Sequence, residues 1–332
     1  MKVPSRTFLK EVETIHNDTH SGAAKIAESC LIALKQECLT TRNQFSRSFL
    51  KTAIQLLLDT HPMATIENAL LPIYVRLVQL IDSPHLENGD SKPAIEMIFA
   101  TRREQLRIGE KQTRETLVNT LKRFKSILTF SHSSTVIKAL LQLAREGFTD
   151  KVIYILESRP LKEGERTAYS LANAGFKNVV LGIDLAIHEF AQQAEAAVFG
   201  ADMIRVNGKI LNKIGSVTIA KLFRELGKEV IVAASMAKIC LRGIIEKDHG
   251  WHPVIPQRNP KEISNIIHPN LTTWNKYFEV VSPKLITLLI MDKQTFKTPI
   301  EQHLPAFIET SALAGQIEKL RVIWNEVDFT MV

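Results

Sequence analysis

The chain has 332 residues, of which 45% are hydrophobic and 23% charged, and its 42 Lys and Arg against 35 Asp and Glu give a net charge of +7. This length suits two domains of ordinary size, and the balanced composition excludes a disordered, collagen-like or coiled-coil protein. The positive excess is compatible with a nucleic-acid partner or an anionic metabolite and requires neither.

The start of the chain and its cysteines indicate the cell interior. No apolar run follows the first residues, so we expect no signal peptide, and no stretch of eighteen residues is apolar and free of charge, so we expect no membrane span. Cys30, Cys38 and Cys240 form no metal-binding pattern, and we expect them to pack as small apolar side chains. The sequence therefore predicts a cytoplasmic protein with neither a metal site nor a cofactor.

The first part of the chain predicts helices. Apolar residues recur there at three- and four-residue spacing, interrupted at His61-Pro62 and by a loop over residues 83–93. A long basic helix is predicted from about residue 93 to residue 125. Its cations surround the helix without aromatic residues between them, which favours a solvated face over nucleic-acid binding. We expect an N-terminal helical domain over residues 1–125.

From residue 126 onward, strands and helices alternate. Short apolar runs predict strands at 126–130, 152–156, 178–183, 202–206, 229–233 and 285–291. Helices are predicted between them at 134–146, 163–174, 186–197 and 217–226. This α/β alternation predicts a Rossmann-like parallel sheet covered by helices on both faces, over residues 126–332. No G-x-G-x-x-G or P-loop sequence is present, which removes the best evidence for a standard dinucleotide or P-loop site.

Polar residues follow the predicted strands, where an open α/β sheet binds its ligands. Ser131, His132 and Ser133 come directly before a helix, where hydroxyl and amide groups bind phosphate or simply cap the helix. Arg159 can clamp a phosphate through two hydrogen bonds. Further edge segments are Asp184, Gly200-Ala201-Asp202, Asn207-Gly208 and Asn212-Lys213-Ile214-Gly215-Ser216. Together they predict a phosphate-compatible site at one edge of the sheet.

Several of these segments resemble one superfamily in combination. They are Glu157-Ser158-Arg159-Pro160, Gly200-Ala201-Asp202, Asn207-Gly208, Asn212-Lys213-Ile214-Gly215 and Trp274-Asn275-Lys276-Tyr277-Phe278-Glu279. The set resembles translation initiation factor 2B alpha, beta and delta subunits, a superfamily that also contains methylthioribose-1-phosphate isomerase and ribose-1,5-bisphosphate isomerase. The motifs are most similar to those of the last of these. The resemblance implies a Rossmann-like C-terminal domain that forms a dimer or a larger homo-oligomer.

The resemblance also implies roles for the reaction. Asp202 stands at the position of the family's catalytic aspartate, whereas Ser131 stands at the position of its catalytic cysteine. Because a serine hydroxyl has a much higher pKa than a thiol, Ser131 needs a partner base before it can accept a proton. His132 is adjacent, but neighbouring side chains of an extended segment tend to point in opposite directions. Asp202 working with His132 while Ser131 orients the substrate is a further possibility.

Substrate contacts are implied at Arg159, Asn212 and Lys213, and Lys238 falls near a lysine of the family pattern. Two functions remain open. The favoured one is binding of a sugar phosphate or nucleotide in a regulatory role, with partners of the initiation-factor type, because the cysteine is absent. The alternative is an active aldose–ketose isomerase of sugar phosphates that uses Asp202 for proton transfer. Neither a membrane nor a directly bound nucleic acid is expected.

Overall fold

The computed structural model describes residues 4–18, 21–40, 46–61, 63–83, 91–241, 255–311, 315 and 317–319. These residues form two compact units. The first takes the described residues of Met1–Ile108, Ala237–His249 and Phe307–Val332, and the second those of Gly109–Met236 and Gly250–Ala306. Pro62 and most of the loop predicted at 83–93 lie outside the described residues. The domain boundary between residues 125 and 126 stays a prediction.

The first unit is helical in its described part, as the sequence predicts. Its helices are α1 (Arg6–His16), α2 (Ala23–Thr40), α3 (Arg47–Leu58), α4 (Ala64–Ile81) and the first part of α5 (Lys92–Leu121). Ser5 Oγ accepts a hydrogen bond from the Phe8 N–H, and Ser46 Oγ accepts one from the Phe49 N–H. These contacts satisfy first-turn amides that have no partner inside their own helix, which is why α1 and α3 begin where they do.

Helix α4 is long and apolar enough to cross a membrane if only length and composition are considered. However, 67% of that stretch is buried inside the protein, including Leu70, Ile73 and Leu77. Burial of this kind is typical of a helix at the centre of a helical core. We therefore assign α4 to the core of the first unit.

The three cysteines form no disulfide, and all three are buried. Burial raises the pKa of the Cys30 thiol to about 12, and it raises the pKa of the Cys38 thiol as well. A buried thiol that stays protonated is neither a good nucleophile nor a good metal ligand. The expectation that these side chains serve as small apolar groups is confirmed by their burial.

The second unit is built around a seven-stranded sheet in the order β10-β9-β7-β4-β1-β2-β3, beside a three-stranded sheet in the order β5-β6-β8. The strands are β1 (Ser126–Phe130), β2 (Val152–Leu156), β3 (Asn178–Gly182), β4 (Ala196–Phe199), β5 (Met203–Ile204), β6 (Ile210–Lys213), β7 (Glu229–Ala233), β8 (Phe278–Val281), β9 (Leu288–Met291) and β10 (Gln294–Lys297). In the large sheet β10 pairs antiparallel with β9, and the remaining pairs of described strands are parallel.

Helices cover both faces of the large sheet. They are α6 (Ser134–Arg145), α7 (Glu163–Asn173), α8 (Ile187–Gln193) and α9 (Ser216–Glu225), with α10 (Ile300–Thr310) after β10. The end of α5 packs with α6 and α7 against Ile127, Ile153 and other strand residues in one apolar cluster. Tyr154 alternates to the opposite face, where its ring lies 5.0 Å from that of Phe190 in α8, and α9 packs against β4 and β7 there. The predicted α/β class with a parallel sheet is confirmed.

Three predicted elements differ from the structure. The helix predicted over 186–197 ends at Gln193, because Ala196–Phe199 is a fully buried strand between β1 and β7. The strand predicted over 202–206 is reduced to Met203–Ile204, and it belongs to the small antiparallel sheet. The strand predicted from residue 285 begins at Leu288, because Pro283 opens a short 3-10 helix before it.

The order of the strands locates a crevice. The chain adds β2 and then β3 on one side of β1, and it returns to place β4 on the other side. Ligands of open α/β sheets bind beyond the carboxyl ends of the strands where the order reverses in this way. The residues that follow β1 and β4 are therefore the first to consider as a site.

Candidate functional site

Two serines follow neighbouring strands in the left-handed backbone conformation. Ser131 has φ 60° directly after β1, and Ser158 has φ 66° two residues after β2. The Ser131 N–H donates to Ser158 Oγ across 2.6 Å, and the N–H groups of Ser158 and Arg159 donate to the Asp184 carboxylate at 2.7 and 2.8 Å. Non-glycine residues occupy this conformation only where surrounding contacts hold them, often at functional sites. These hydrogen bonds provide such contacts.

The Ser131 side chain meets a carboxylate at this edge. Its Oγ donates to Glu163 Oε2 across 2.9 Å, and the Lys213 ammonium lies 3.0 Å from the same oxygen. Glu163 begins α7 after β2, whereas Lys213 ends β6. Two side chains from distant parts of the chain therefore converge on one carboxylate oxygen of α7.

His132 faces helix α7 and makes no described hydrogen bond to the Ser131 hydroxyl. Its Nδ1 lies 3.1 Å from the Thr167 hydroxyl, which itself donates to the Ser131 carbonyl oxygen at 3.0 Å. Since Thr167 has one proton to give, these contacts assign the Nδ1–H tautomer to His132. Burial lowers the pKa of His132, and the nearby Arg166 cation lowers it further, which favours the neutral ring. A role in proton transfer stays a prediction.

Asp202 and Ser133 lie close to Gly200, just beyond the end of β4. A Cβ atom on Gly200 would come within 2.4 Å of Ser133 Oγ, so this approach of two loops requires glycine. Ser133 caps α6, with its Oγ accepting from the Val136 N–H. Asp202 is half-buried, and its N–H donates to the Leu211 carbonyl oxygen. Asp202 thus follows the end of β4 at the reversal point of the sheet, two residues after the glycine that approaches Ser133.

Arg159 is an exposed cation at the same edge. Its backbone is held by Asp184, and its guanidinium makes a 3.4 Å contact with the Glu262 carbonyl oxygen. The following helix is drawn close to β2, since a Cβ atom on Gly164 would lie 1.9 Å from the Leu156 carbonyl oxygen. Arg159 therefore lies on the loop between β2 and α7, and the first turn of α7 packs closely against the end of β2.

Tyr277 connects the predicted cation Lys213 to a second carboxylate. The Lys213 ammonium lies 4.7 Å from the centre of the Tyr277 ring, and the ring hydroxyl donates to Glu262 Oε2 at 2.6 Å. Burial and the Glu262 carboxylate raise the pKa of the Tyr277 hydroxyl, so it stays protonated and donates. The Lys213 side chain is only 5% exposed, far less accessible than the sequence suggests for a phosphate ligand.

Asn212 is engaged in the turn before α9. Its amide donates to Ser216 Oγ at 2.9 Å, and that hydroxyl donates to the Lys213 carbonyl oxygen at 2.5 Å. Glu279 completes the turn by accepting hydrogen bonds from the N–H groups of Gly215 and Val217. These contacts orient the end of β6, and a substrate contact for Asn212 stays a prediction.

Lys238 ends the 3-10 helix Met236–Lys238 and belongs to the first unit, so its predicted role in phosphate binding stays a prediction. Among the residues that the structure describes, no three His, Cys, Asp or Glu side chains are grouped as metal ligands.

Sequence reasoning singled out Ser131 and Lys213, and the structure brings these two together. It missed Glu163, Glu262 and Tyr277. Glu163 stands in the first turn of a helix, where an acidic residue is common because it complements the helix dipole. Its position therefore gave no indication of a role in the site. Tyr277 lies inside the Trp274–Glu279 segment that carries the family resemblance, and that was the one available hint.

Comparison with known proteins decides the family. The model of the initiation factor 2 subunit family matches residues 19–298, which is most of the chain. The chain belongs to the initiation factor 2 subunit family. The resemblance inferred from the edge motifs is thereby confirmed.

Curated relatives of this family member include two kinds of isomerase. The chain is 28% identical over 302 residues to the ribose 1,5-bisphosphate isomerase of Thermococcus kodakarensis, which covers 87% of this chain and 90% of that protein. It is 32% identical over 170 residues to the methylthioribose-1-phosphate isomerase of Koribacter versatilis, which covers 49% of this chain and 47% of that protein.

Solved structures share the family fold. The 5-methylthioribose 1-phosphate isomerase of Pyrococcus horikoshii superposes with a TM-score of 0.72 at 24% identity, covering 92% of this chain and 88% of that one. The translation initiation factor eIF-2B of the same organism superposes with a TM-score of 0.67 at 20% identity, covering 89% of this chain and 98% of that one. The same fold thus occurs in an isomerase and in an initiation factor.

Proposed function

We propose that this member of the initiation factor 2 subunit family binds a sugar phosphate in the crevice beyond β1 and β4. The observation that carries the proposal is the convergence of Ser131 and Lys213 on Glu163 at the edge where parallel sheets bind ligands. A hydroxyl, a carboxylate and an ammonium can together donate to and accept from the hydroxyl groups of a sugar. A nucleotide carries the same phosphate chemistry and is the second ligand class to test.

The phosphate has a different set of partners in this proposal. The Arg159 guanidinium is exposed, and its one described hydrogen bond is the long contact with the Glu262 carbonyl oxygen. The start of α6, next to Ser133, offers backbone N–H groups and the positive end of a helix dipole. Asp202 then faces the sugar from the end of β4.

An aldose–ketose isomerase is the second candidate, and the hydrogen bond between Ser131 and Glu163 favours it. In such a reaction one group takes a proton from carbon 2 of the open sugar and returns it to carbon 1, while a second group serves the oxygens. Asp202 is the proposed proton-transfer group, and Glu163 is a base within reach of Ser131. The binding role stands first because Ser131 replaces the thiol that the family's isomerases use.

The deciding experiment combines phosphorus NMR with thermal denaturation. The protein is incubated with ribose 1,5-bisphosphate, methylthioribose 1-phosphate, ribose 5-phosphate or AMP. The binding role predicts a raised melting temperature with a sugar phosphate and no new phosphorus resonance. The isomerase role predicts a ketose phosphate resonance that Asp202→Asn abolishes and that the exposed control Asp150→Asn leaves unchanged. A melting temperature unmoved by every ligand, with no turnover, would contradict both roles.

We further propose that two copies of the chain associate through the second unit. Strand β3 is at the end of the large sheet, and most of the exposed large apolar side chains of the described residues fall at 161–185 and 263–274. A free strand edge with apolar side chains is a surface that another copy can cover. The solved eIF2B beta2-delta2 complex from C. thermophilum is tetrameric, so partners of the initiation-factor type are the alternative occupants. The cytoplasmic location stays a prediction.

A further inference from the structure

We propose that Glu163 neutralises Lys213 and thereby selects a ligand with a single phosphate, because the subsite beside Ser131 accepts hydroxyl groups and rejects a second phosphate. This inference rests on the proposed binding of a sugar phosphate. It names the substrate class of that site.

The charges around this subsite are balanced. Lys213 Nζ lies 3.0 Å from Glu163 Oε2, and its side chain is 5% exposed while that of Glu163 is 27% exposed. The groups that act electrostatically on the Tyr277 hydroxyl are the carboxylates Glu163 and Glu262 and the cation Arg258, and the Lys213 ammonium lies over the same ring. Two cations and two carboxylates therefore surround this ring, and no net positive charge is left for a phosphate.

The orientation of Glu163 suits a neutral polar group. The described hydrogen bond and ion pair of its carboxylate both fall on Oε2, from Ser131 Oγ and Lys213 Nζ. Its other oxygen can accept a hydrogen bond from a sugar hydroxyl. A phosphate in the same place would meet a carboxylate, and two like charges in contact at a partly buried position repel strongly.

A phosphate could displace Glu163 from Lys213 only at a cost. The Lys213 ammonium contacts the Glu163 carboxylate and the Tyr277 ring, and its backbone is fixed at the end of β6. Breaking this pair would leave the Glu163 carboxylate without its cation beside an incoming anion. Arg159, which lacks a described carboxylate partner, remains the cation suited to the one phosphate.

The test measures the dissociation constants of ribose 5-phosphate and ribose 1,5-bisphosphate by calorimetry. The proteins are the wild type, Glu163→Gln, the double variant Glu163→Gln with Lys213→Gln, and the control Glu165→Gln. Glu165 lies two residues further along α7 and forms an exposed ion pair with Lys162, so its change removes an equal charge outside the subsite. Melting temperatures establish that each variant is folded.

The wild type and Glu165→Gln are expected to bind the monophosphate about tenfold more tightly than the bisphosphate, the scale of one charged contact. Glu163→Gln frees the ammonium, and we expect it to improve bisphosphate binding about tenfold while changing monophosphate binding little. The double variant is again neutral and should return to the wild-type preference. It tests the proposal even if Glu163→Gln alone does not fold.

Two results would overturn the proposal while leaving the proposed function intact. One is equal binding of both ligands by the wild type with no change in Glu163→Gln. The other is a loss of bisphosphate binding, but not of monophosphate binding, in the double variant, since this would mean that Lys213 clamps a phosphate in the wild type. Failure of every variant to bind either ligand would overturn this inference, and the melting temperatures with methylthioribose 1-phosphate and AMP would then decide the proposed function.

Discussion

The Ser131 hydroxyl donates to Glu163 Oε2 across 2.9 Å, so the residue that the resemblance places at the family's cysteine position has a carboxylate as its partner. A serine alone is a poor proton acceptor, and the sequence offered only the adjacent His132 as a base. The structure directs His132 to Thr167 and supplies Glu163 instead. In the proposed site the Ser131 hydroxyl and the Glu163 carboxylate therefore stand together where the resemblance implies a thiol.

Removing the Glu163 carboxylate should destabilise the protein. Glu163→Ala leaves the Lys213 ammonium almost inaccessible to water and without its anion. We expect a loss of about 2 kcal/mol in the free energy of unfolding, less than for a fully buried pair because Glu163 is partly solvated. Urea denaturation measures it. The control Glu165→Ala breaks an exposed pair and should stay close to wild type, so equal losses in both variants would argue against a special role for Glu163.

The close approach of α7 to β2 makes Gly164 irreplaceable. In Gly164→Ala the new Cβ atom would lie 1.9 Å from the Leu156 carbonyl oxygen, a backbone atom within a paired strand. We expect α7 to shift and the free energy of unfolding to fall by about 1–3 kcal/mol. Sugar-phosphate binding should weaken with it, because α7 carries Glu163. Gly22→Ala is the control, since no atom lies within 4 Å of its new Cβ, and comparable losses in the two variants would contradict the steric reason.

The lowered pKa of His132 predicts a specific pH dependence. Burial and Arg166 hold the folded-state pKa below the 6.5 of an exposed histidine, so the unfolded chain binds more protons between these two values. Stability should therefore fall as the pH is lowered from about 7 through that window. In His132→Gln, melting temperatures across this range should fall less steeply than in the wild type. The exposed His188→Gln should keep the wild-type slope, and an unchanged slope in His132→Gln would refute the prediction.

The proposed association of two copies can be tested at Leu185, which is 86% exposed after β3. Leu185→Glu places a charge in the apolar surface, and we expect light scattering to show a shift from dimer to monomer at micromolar concentration. Met97→Glu introduces the same charge at an exposed apolar residue of the first unit and should leave the mass unchanged. A wild type that is monomeric at high concentration would contradict the association itself.

Much of the sheet could be predicted, because most of its strands can be recognised from their local sequence. β1, β2 and β7 occupy the residues that the sequence predicts, since their branched apolar side chains are flanked by polar turns. Strand β4 was not predicted, because Ala196 and Ala197 favour helix. Burial between two neighbouring strands overrides that preference in the structure. The omission of β4 also concealed that Asp202, which directly precedes β5, lies shortly after a central strand.

The sequence singled out residues at this edge of the sheet, but it did not predict their side-chain partners. The motifs identified the family and singled out Ser131, Asp202 and Lys213 as residues to examine. They could not show that Lys213 is already neutralised, because ion pairs depend on side chains from distant elements meeting in space. Solvent exposure could not be predicted for the same reason. The sequence suggests that Lys213 is a solvent-facing cation, whereas its side chain is almost completely buried in the structure.

The sequence by itself determined the α/β class, the family and the edge of the sheet that we propose as the ligand site, because periodicity and short motifs are local properties. The +7 of the whole chain required neither a phosphate nor a nucleic-acid partner, and the motifs at the edge of the sheet predicted the phosphate site. Only the tertiary structure decided how that charge is distributed: it brings the first turn of α7 against the end of β6, so that Glu163 cancels Lys213 and holds the Ser131 hydroxyl. Pairing of distant residues in a low-dielectric site is set by packing, and local sequence does not encode it.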